Sequence, residues 1–140
     1  IHLPESLKNM ALQSSIVILT ATLEERLDIS LKTYVVDMAE NFCLINKVSG
    51  FNNYSNYWKN SLLKIQKRLG GLRYKSLLNQ LNLALKSHKE NNDLQNYHPL
   101  IESLLVDYYD PMYDYQISKK KQRIVFQGNS QDVLAYLDCN

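Results

Sequence analysis

Apolar positions recur along this chain in two different rhythms. Leu23, Leu27, Leu31, Tyr34, Met38, Phe42 and Ile45 follow one another at spacings of three or four. That period predicts one face of a long amphipathic helix ending near Ser49-Gly50. Thr22-Leu-Glu-Glu25 just ahead of it matches a capping box, in which hydroxyl and carboxylate close each other's exposed amides. The run Ser15 to Ala21 is instead a short block of Ile, Val, Leu and Thr, and reads as a fully buried strand. Before it, Pro4 with Glu5 predicts a short helix start, the acid facing the positive helix end.

Helical spacing continues downstream. A second helix is expected from about Tyr54 to Leu69, stopped by Gly70-Gly71. A third fills Leu72 to about Ser87 with Leu77, Leu78, Leu81, Ala84 and Leu85 inward, and Asn91-Asn92-Asp93 breaks it. A fourth starts near Pro99 and carries Leu100, Ile101, Leu104, Leu105 and Tyr108 until Asp110-Pro111 interrupts it. Tyr113 to Lys120 resumes as a short helix. Arg123-Ile-Val-Phe126 reads as a second strand closed by Gly128-Asn129, and Ser130 caps a last helix with Val133, Leu134 and Leu137 inward. The pattern is therefore α/β and mostly helical, with two short strands and a helical bundle inserted between them. Two such strands cannot make a sheet covered on both faces. Either they pair with each other, or they belong to a parallel sheet whose other strands lie upstream.

Composition narrows the class. With 140 residues, 45% hydrophobic and 21% charged, the chain is expected to be one domain over 1–140, or part of a larger one. Ile16-Val-Ile-Leu19 is far short of the ~20 apolar residues that span a bilayer, and no basic region followed by an apolar stretch opens the chain. No membrane partner is expected, and a reducing, cytoplasmic setting fits the two cysteines, Cys43 and Cys139, which make neither a disulfide framework nor a metal knuckle. The opening Ile-His-Leu-Pro, without an initiator Met, is what a piece of a longer chain would show.

Charge changes the picture more. The net +2 hides a strong segregation: residues 41–89 carry nine bases and no acid, whereas 90–118 carry six acids and no base. Ordinary solvated surfaces mix the two signs to limit self-repulsion. A polyanionic partner accounts for the basic stretch, because each phosphate met by Lys or Arg releases a counterion. Tyr54, Tyr57, Trp58 and Tyr74 interleave with Lys59, Lys64, Lys67, Arg68, Arg73 and Lys75 there. Aromatic faces stack on unpaired bases while cations track the backbone, which is the chemistry of RNA binding. Two other readings stay open at this point. Trp58 and some tyrosines can be core anchors, and the acidic block can fold back on the basic one.

Arg26 follows the first strand, on the side where ligands of open parallel sheets sit. It can contact a diphosphate or pair with nearby acids on its own helix. Asp107, Asp110 and Asp114, with Tyr108, Tyr109, Tyr113 and Tyr115, form an acidic–aromatic patch around Pro111. Such carboxylates can perform acid–base work, hold Mg²⁺ or order the basic segment, and Asp110 can cap the helix resuming after Pro111. His2, His88 and His98 are isolated and read as surface or capping residues, and no metal site is expected.

The string Leu105-Val-Asp-Tyr-Tyr-Asp-Pro-Met-Tyr-Asp-Tyr-Gln116, followed by Lys119-Lys120 and Arg123-Ile-Val-Phe-Gln-Gly128, resembles the C-terminal part of the tRNA 2-selenouridine synthase family. His2-Leu-Pro-Glu5, Leu23-Glu-Glu-Arg26 with Tyr34-Val-Val-Asp37, and Lys67-Arg-Leu-Gly-Gly-Leu-Arg73 are similar to the same family, in the same order. The resemblance implies a rhodanese-like domain with a catalytic Cys followed by a P-loop NTPase-like domain. It also implies replacement of the 2-sulfur of wobble 2-thiouridine by selenium through an S-geranyl intermediate, with selenophosphate and geranyl diphosphate as co-substrates. No G-x-x-x-x-G-K-[ST] occurs here, and neither Cys43 nor Cys139 looks like a rhodanese cysteine. The expectation is therefore a truncated P-loop NTPase-like domain, inactive by itself and with neither co-substrate bound to it. Residues 41–89 would bind tRNA rather than DNA through Trp58, Lys64, Lys67, Arg68, Arg73 and Lys75. Arg26 would bind phosphate, Asp110, Tyr113 and Asp114 would form a structural or acid–base patch, and the oligomeric state stays open. The alternative is a non-catalytic helical RNA-binding or protein-interaction module.

Overall fold

In a computed structural model, which describes residues 4–139, the elements run α1 (Glu5–Gln13), β1 (Ile16–Leu19), α2 (Leu23–Ser30), a π-helical stretch (Leu31–Asp37) and α3 (Met38–Asn46). A 3₁₀ turn (Lys47–Ser49) leads to α4 (Gly50–Lys64), α5 (Gln66–Leu69), α6 (Gly71–Asn91) and α7 (Tyr97–Leu104). A second π stretch (Leu105–Tyr109) passes into α8 (Asp110–Ser118); a 3₁₀ turn (Lys121–Arg123), β2 (Ile124–Gly128) and α9 (Ser130–Asp138) complete the chain. Its contacts gather into two compact units, one of Leu23–Pro111 and one of Ile1–Thr22 with Met112–Asn140. His2 and Leu3 lie outside the described residues.

The unit Leu23–Pro111 is helical, and it holds all the fully buried apolar side chains among the described residues: Leu27, Val35, Ala39, Tyr54, Leu62, Leu77, Leu81, Ala84, Leu85, Tyr97, Leu100 and Ile101. Each such Leu, Ile or Val contributes about 1.5–3 kcal/mol of transfer free energy. The inward face expected for α6 is the one observed. The face expected for the long helix is not: Tyr34 is 50% exposed and Val35 is fully buried. The buried positions run Leu27, Val35, Ala39, with Leu31 packed against them, at intervals of four throughout. A 3.6-residue turn cannot keep four-residue intervals in line, but the wider π turn across Leu31–Asp37 does. The same widening brings Lys32 to Asp37, five residues on, with Nζ–Oδ distances of 2.8 and 2.9 Å.

Ile45, expected on the inner face, is exposed as well. Gly50 does not end the long helix but opens α4. A Cβ there would collide with the Cys43 backbone, so the missing side chain lets α3 and α4 approach closely. Gly70, with φ of +80°, makes the turn between α5 and α6 that its sequence position predicts. Asp110-Pro111 does not interrupt the helix, which runs from Tyr97 to Ser118 through its π stretch. Proline removes a backbone donor and crowds the preceding turn. The wider π turn just ahead of Pro111 accommodates that without breaking the helix.

In the other unit, β1 and β2 pair with each other in parallel, Ile16 opposite Ile124 and Leu19 opposite Gly128, with an irregularity after Ile16. Helix α9 packs on both strands, Phe126 stacking on Tyr136 at 4.4 Å. The expected full burial of β1 fails: its residues are half-buried and Leu19 is exposed. A two-stranded sheet gives its strands too few neighbours to close over both faces. The last helix is capped by Asn129 rather than Ser130. Asn129 Oδ1 accepts from the amides of Gln131 and Asp132, and its own amide donates to Asp132 Oδ2 at 3.2 Å. Val133 is half-buried as expected, but Tyr136 joins it in place of Leu134 and Leu137, which are exposed. Arg123 closes the C-terminal end of α1, its guanidinium donating to the carbonyls of Ser14 and Ala11.

Candidate nucleic-acid interface

The elbow between α4 and α6 concentrates cations. Helix α4 ends on Lys64, α5 carries Lys67 and Arg68, and the first turns of α6 carry Arg73 and Lys75. All five side chains are exposed. Lys64, Lys67 and Lys75 have no hydrogen-bond or ion-pair partner among the described residues. The two arginines differ. Arg68 Nη1 donates to the Tyr108 hydroxyl at 3.2 Å, and Arg73 Nη2 lies 3.9 Å from Asp107 Oδ2. Arg73 Nη1 also donates to the Asp107 carbonyl at 3.5 Å. That carbonyl is the one an amide four residues on would meet, and position 111 is a proline with no amide hydrogen. Among the described residues, the acidic block thus meets a cation of the basic stretch at Arg73, through Asp107, while Arg68 is held by the Tyr108 hydroxyl.

The aromatic half of the pattern is mostly structural. Tyr54 is fully buried, its hydroxyl donating to the Tyr34 carbonyl at 3.3 Å, and burial pushes its pKa up. Trp58 is half-buried, with its ring 6.1 Å from that of Tyr97, and Tyr74 also packs against the core. Tyr57 remains about half exposed beside Phe42. The sequence reads His88 as a surface or capping residue. It lies half-buried among Phe51, Tyr54 and Tyr97, its Nδ1 hydrogen-bonded to the Tyr97 hydroxyl at 3.2 Å. Burial lowers the His88 pKa, so the ring sits there neutral, and burial raises that of Tyr97.

Arg26 is engaged too. Its Nη1 and Nη2 donate to the two oxygens of Asp110, at 2.5 and 3.0 Å, in a fork that is about two-thirds covered. The hydrogen bonds hold the Asp110 carboxyl below its usual range and raise the Arg26 pKa. The sequence offered Arg26 a nearby acid on its own helix and Asp110 a cap for the helix after Pro111; the structure instead pairs the two with each other. Tyr113 and Asp114 lie on α8 in the other unit, both exposed. Among the described residues no three His, Cys, Asp or Glu side chains come close enough to hold a metal ion, and no helix is long and apolar enough to cross a membrane.

One feature was not legible as a site in the sequence, although Lys59 and Leu85 within it were singled out there for other reasons. A groove of about 510 Å³ runs between α4 and α6, lined by Asn52, Asn56, Lys59, Asn82, Lys86 and Lys89 over a floor that includes Phe51 and Leu85. Its signal was present, as polar residues at helical spacing on both helices, but one helix alone does not say what faces it.

A mostly helical chain with a basic helical insert between two parallel strands defines a class by charge and connectivity. The chain belongs to the family described as the tRNA 2-selenouridine synthase AAA domain, whose model matches residues 1–140. It is 36% identical to the tRNA 2-selenouridine synthase of Sulfurovum sp. (strain NBC37-1), over 98% of this chain and 38% of that protein. It is 38% identical to the enzyme so named from Marinobacter nauticus, over 92% of this chain and 35% of the relative. For the one from Pseudomonas paraeruginosa the figures are 40%, 81% and 31%. The chain therefore spans about a third of the length of these curated relatives. No solved structure matches it.

Proposed function

We propose that this chain is the tRNA-contacting part of a selenium-transferring tRNA-modifying enzyme that converts wobble 2-thiouridine to 2-selenouridine through an S-geranyl intermediate. Selenophosphate and geranyl diphosphate are its co-substrates, and the work is done in the cytoplasm. The observation that carries the RNA contact is the elbow, where Lys64, Lys67 and Lys75 stand exposed and unpaired on adjoining helices. Three unneutralised cations so placed suit a run of phosphates, and no acid lies within residues 41–89 to compete. Arg68 and Arg73 flank them and also tie the elbow to Tyr108 and Asp107. The parallel pairing of β1 and β2, each followed along the chain by a helix, supports a P-loop NTPase-like origin for the sheet. In this reading Trp58 supports the surface from within, Arg26 meets a phosphate only by exchanging Asp110 for it, and Tyr113 and Asp114, exposed on α8, are the members of the structural or acid–base patch that Arg26 does not occupy.

The test is a titration against an unmodified bacterial tRNA over a range of salt, with duplex DNA of equal charge as competitor. Binding should prefer tRNA and weaken with salt at a log–log slope of about −0.7 to −0.9 per phosphate met. Changing Lys64, Lys67 and Lys75 together to Ala should flatten that slope by about two units. Salt-insensitive binding, or an unchanged slope in the variant, removes the elbow from tRNA recognition.

A further inference from the structure

We propose that the groove between α4 and α6 is a second polynucleotide site, which takes a stretch of RNA backbone across Lys59, Lys86 and Lys89. The proposal deepens the tRNA-binding reading above and rests on it. The start of α4 lies beside the end of α6, as the ring of Phe51 meets that of His88 at 5.0 Å. Along this seam α4 presents Asn52, Ser55, Asn56 and Lys59, and α6 presents Asn82, Leu85, Lys86 and Lys89. Both sets follow the spacing i, i+3, i+4, i+7, so each helix gives one continuous stripe to the same groove. A stripe of that length extends about 10 Å along a helix.

Three lysines along one open groove give it a positive potential that an anion would neutralise. None of the three ammonium groups has an ion-pair or hydrogen-bond partner among the described residues. Glu90 is the single carboxylate in the lining, against three lysines. The carboxamides of Asn52, Asn56 and Asn82 add what lysines lack, donors and acceptors able to meet phosphate oxygens, 2′-hydroxyls and base edges. The cations are spread along both walls of an open groove and are themselves exposed. That layout fits a chain of phosphodiesters better than one small anion, which is held by converging, buried donors.

The experiment compares tRNA titrations of the unchanged protein, of the groove variant Lys59→Gln/Lys86→Gln/Lys89→Gln, and of the elbow variant Lys64→Gln/Lys67→Gln/Lys75→Gln, each with its helix content checked by circular dichroism. The groove variant should bind about tenfold or more weaker at moderate salt, with a log–log slope flatter by about two units. Glu90→Gln, which removes the opposing carboxylate and leaves every lysine in place, should tighten binding; it carries the test if the triple variant does not fold. A groove variant that keeps the original affinity and slope overturns the groove while leaving the elbow reading intact. Absence of salt-sensitive binding in the unchanged protein overturns the parent reading, and the groove with it. Loss of inorganic pyrophosphate binding without loss of tRNA binding would show a small-anion site instead and also overturn the proposal.

Discussion

Arg26 and Asp110, 84 positions apart in the chain, meet through both arms of the guanidinium, at 2.5 and 3.0 Å. The fork ties α2 to the start of α8 beside Pro111. Bidentate geometry makes it stronger than an ordinary surface pair, but with about a third of each side chain still exposed, solvent screens it. Asp110→Ala or Arg26→Ala should each cost about 1 kcal/mol in denaturant unfolding, and the double variant little more than either alone. The folded-state pKa of Asp110 is lowered, so its stabilisation is in place above the ordinary value of 3.8 and is lost as pH falls through the folded value. Asp110→Asn should flatten that acid limb. An unchanged limb would show that the fork does not form in solution.

His88 gives a second, separable pH dependence. Its pKa is lowered by burial beneath 6.5, so the unfolded chain takes up the proton first as pH falls. Stability should be full above about 6.5 and decline below it. His88→Gln should remove the slope that sets in as pH falls below about 6.5, well above the range in which Asp110 titrates.

The π stretch predicts which of two neighbours carries the core. Val35→Ala should destabilise by about 1–2 kcal/mol, because a fully buried branched side chain is lost. Tyr34→Ala should stay within about 0.5 kcal/mol, since its half-exposed ring is replaced while its carbonyl still accepts from Tyr54. Equal costs at both positions would mean that the helix keeps an α register through this segment. Thermal or urea unfolding decides it.

Three glycines sort by geometry. Gly50→Ala should destabilise by about 3 kcal/mol or prevent folding, because its Cβ would press on the backbone of Phe42 and Cys43, which cannot give way as a side chain would. Gly70→Ala has open space but a φ of +80°, and should cost about 1 kcal/mol. Gly71→Ala has neither constraint and should be neutral or stabilising by about 0.5 kcal/mol. Unfolding midpoints in this order would verify the close α3–α4 approach.

The elbow residues should separate binding from stability. Arg73→Ala should lower both, since Arg73 contacts the Asp107 carboxylate and carbonyl. Lys64→Ala, Lys67→Ala and Lys75→Ala, which remove unpaired side chains, should leave stability within about 0.5 kcal/mol and weaken tRNA binding alone. Parallel unfolding and tRNA titrations of the four variants measure the division.

Much of the helical unit was legible because its signals are local. The apolar spacing of α6, the Gly70 turn and the Asn92 end each rest on residues within a few positions of one another. Where reading failed, a non-local or non-α term had entered. Tyr34 lost its place to Val35 through a π turn that no 3.6-residue template contains. Pro111 failed to break its helix because the turn before it widened. The candidate site divides in the same way. The cations of the elbow are visible as a run without acids, but the burial of Tyr54 and the placement of Trp58 against Tyr97 depend on helices far along the chain.

By itself, then, the sequence determined the helical class, the two strands, the charge segregation and the family resemblance, since each is written in residue type and spacing. Only the tertiary structure decided that Asp110 holds Arg26, that two of the five elbow cations are engaged by the acidic block, and that Asn52, Asn56, Lys59, Asn82, Lys86 and Lys89 share one groove. Helical periodicity says which residues of one element lie together. Which faces of two elements meet depends on the packing of side chains between them, and that is not encoded at any one position.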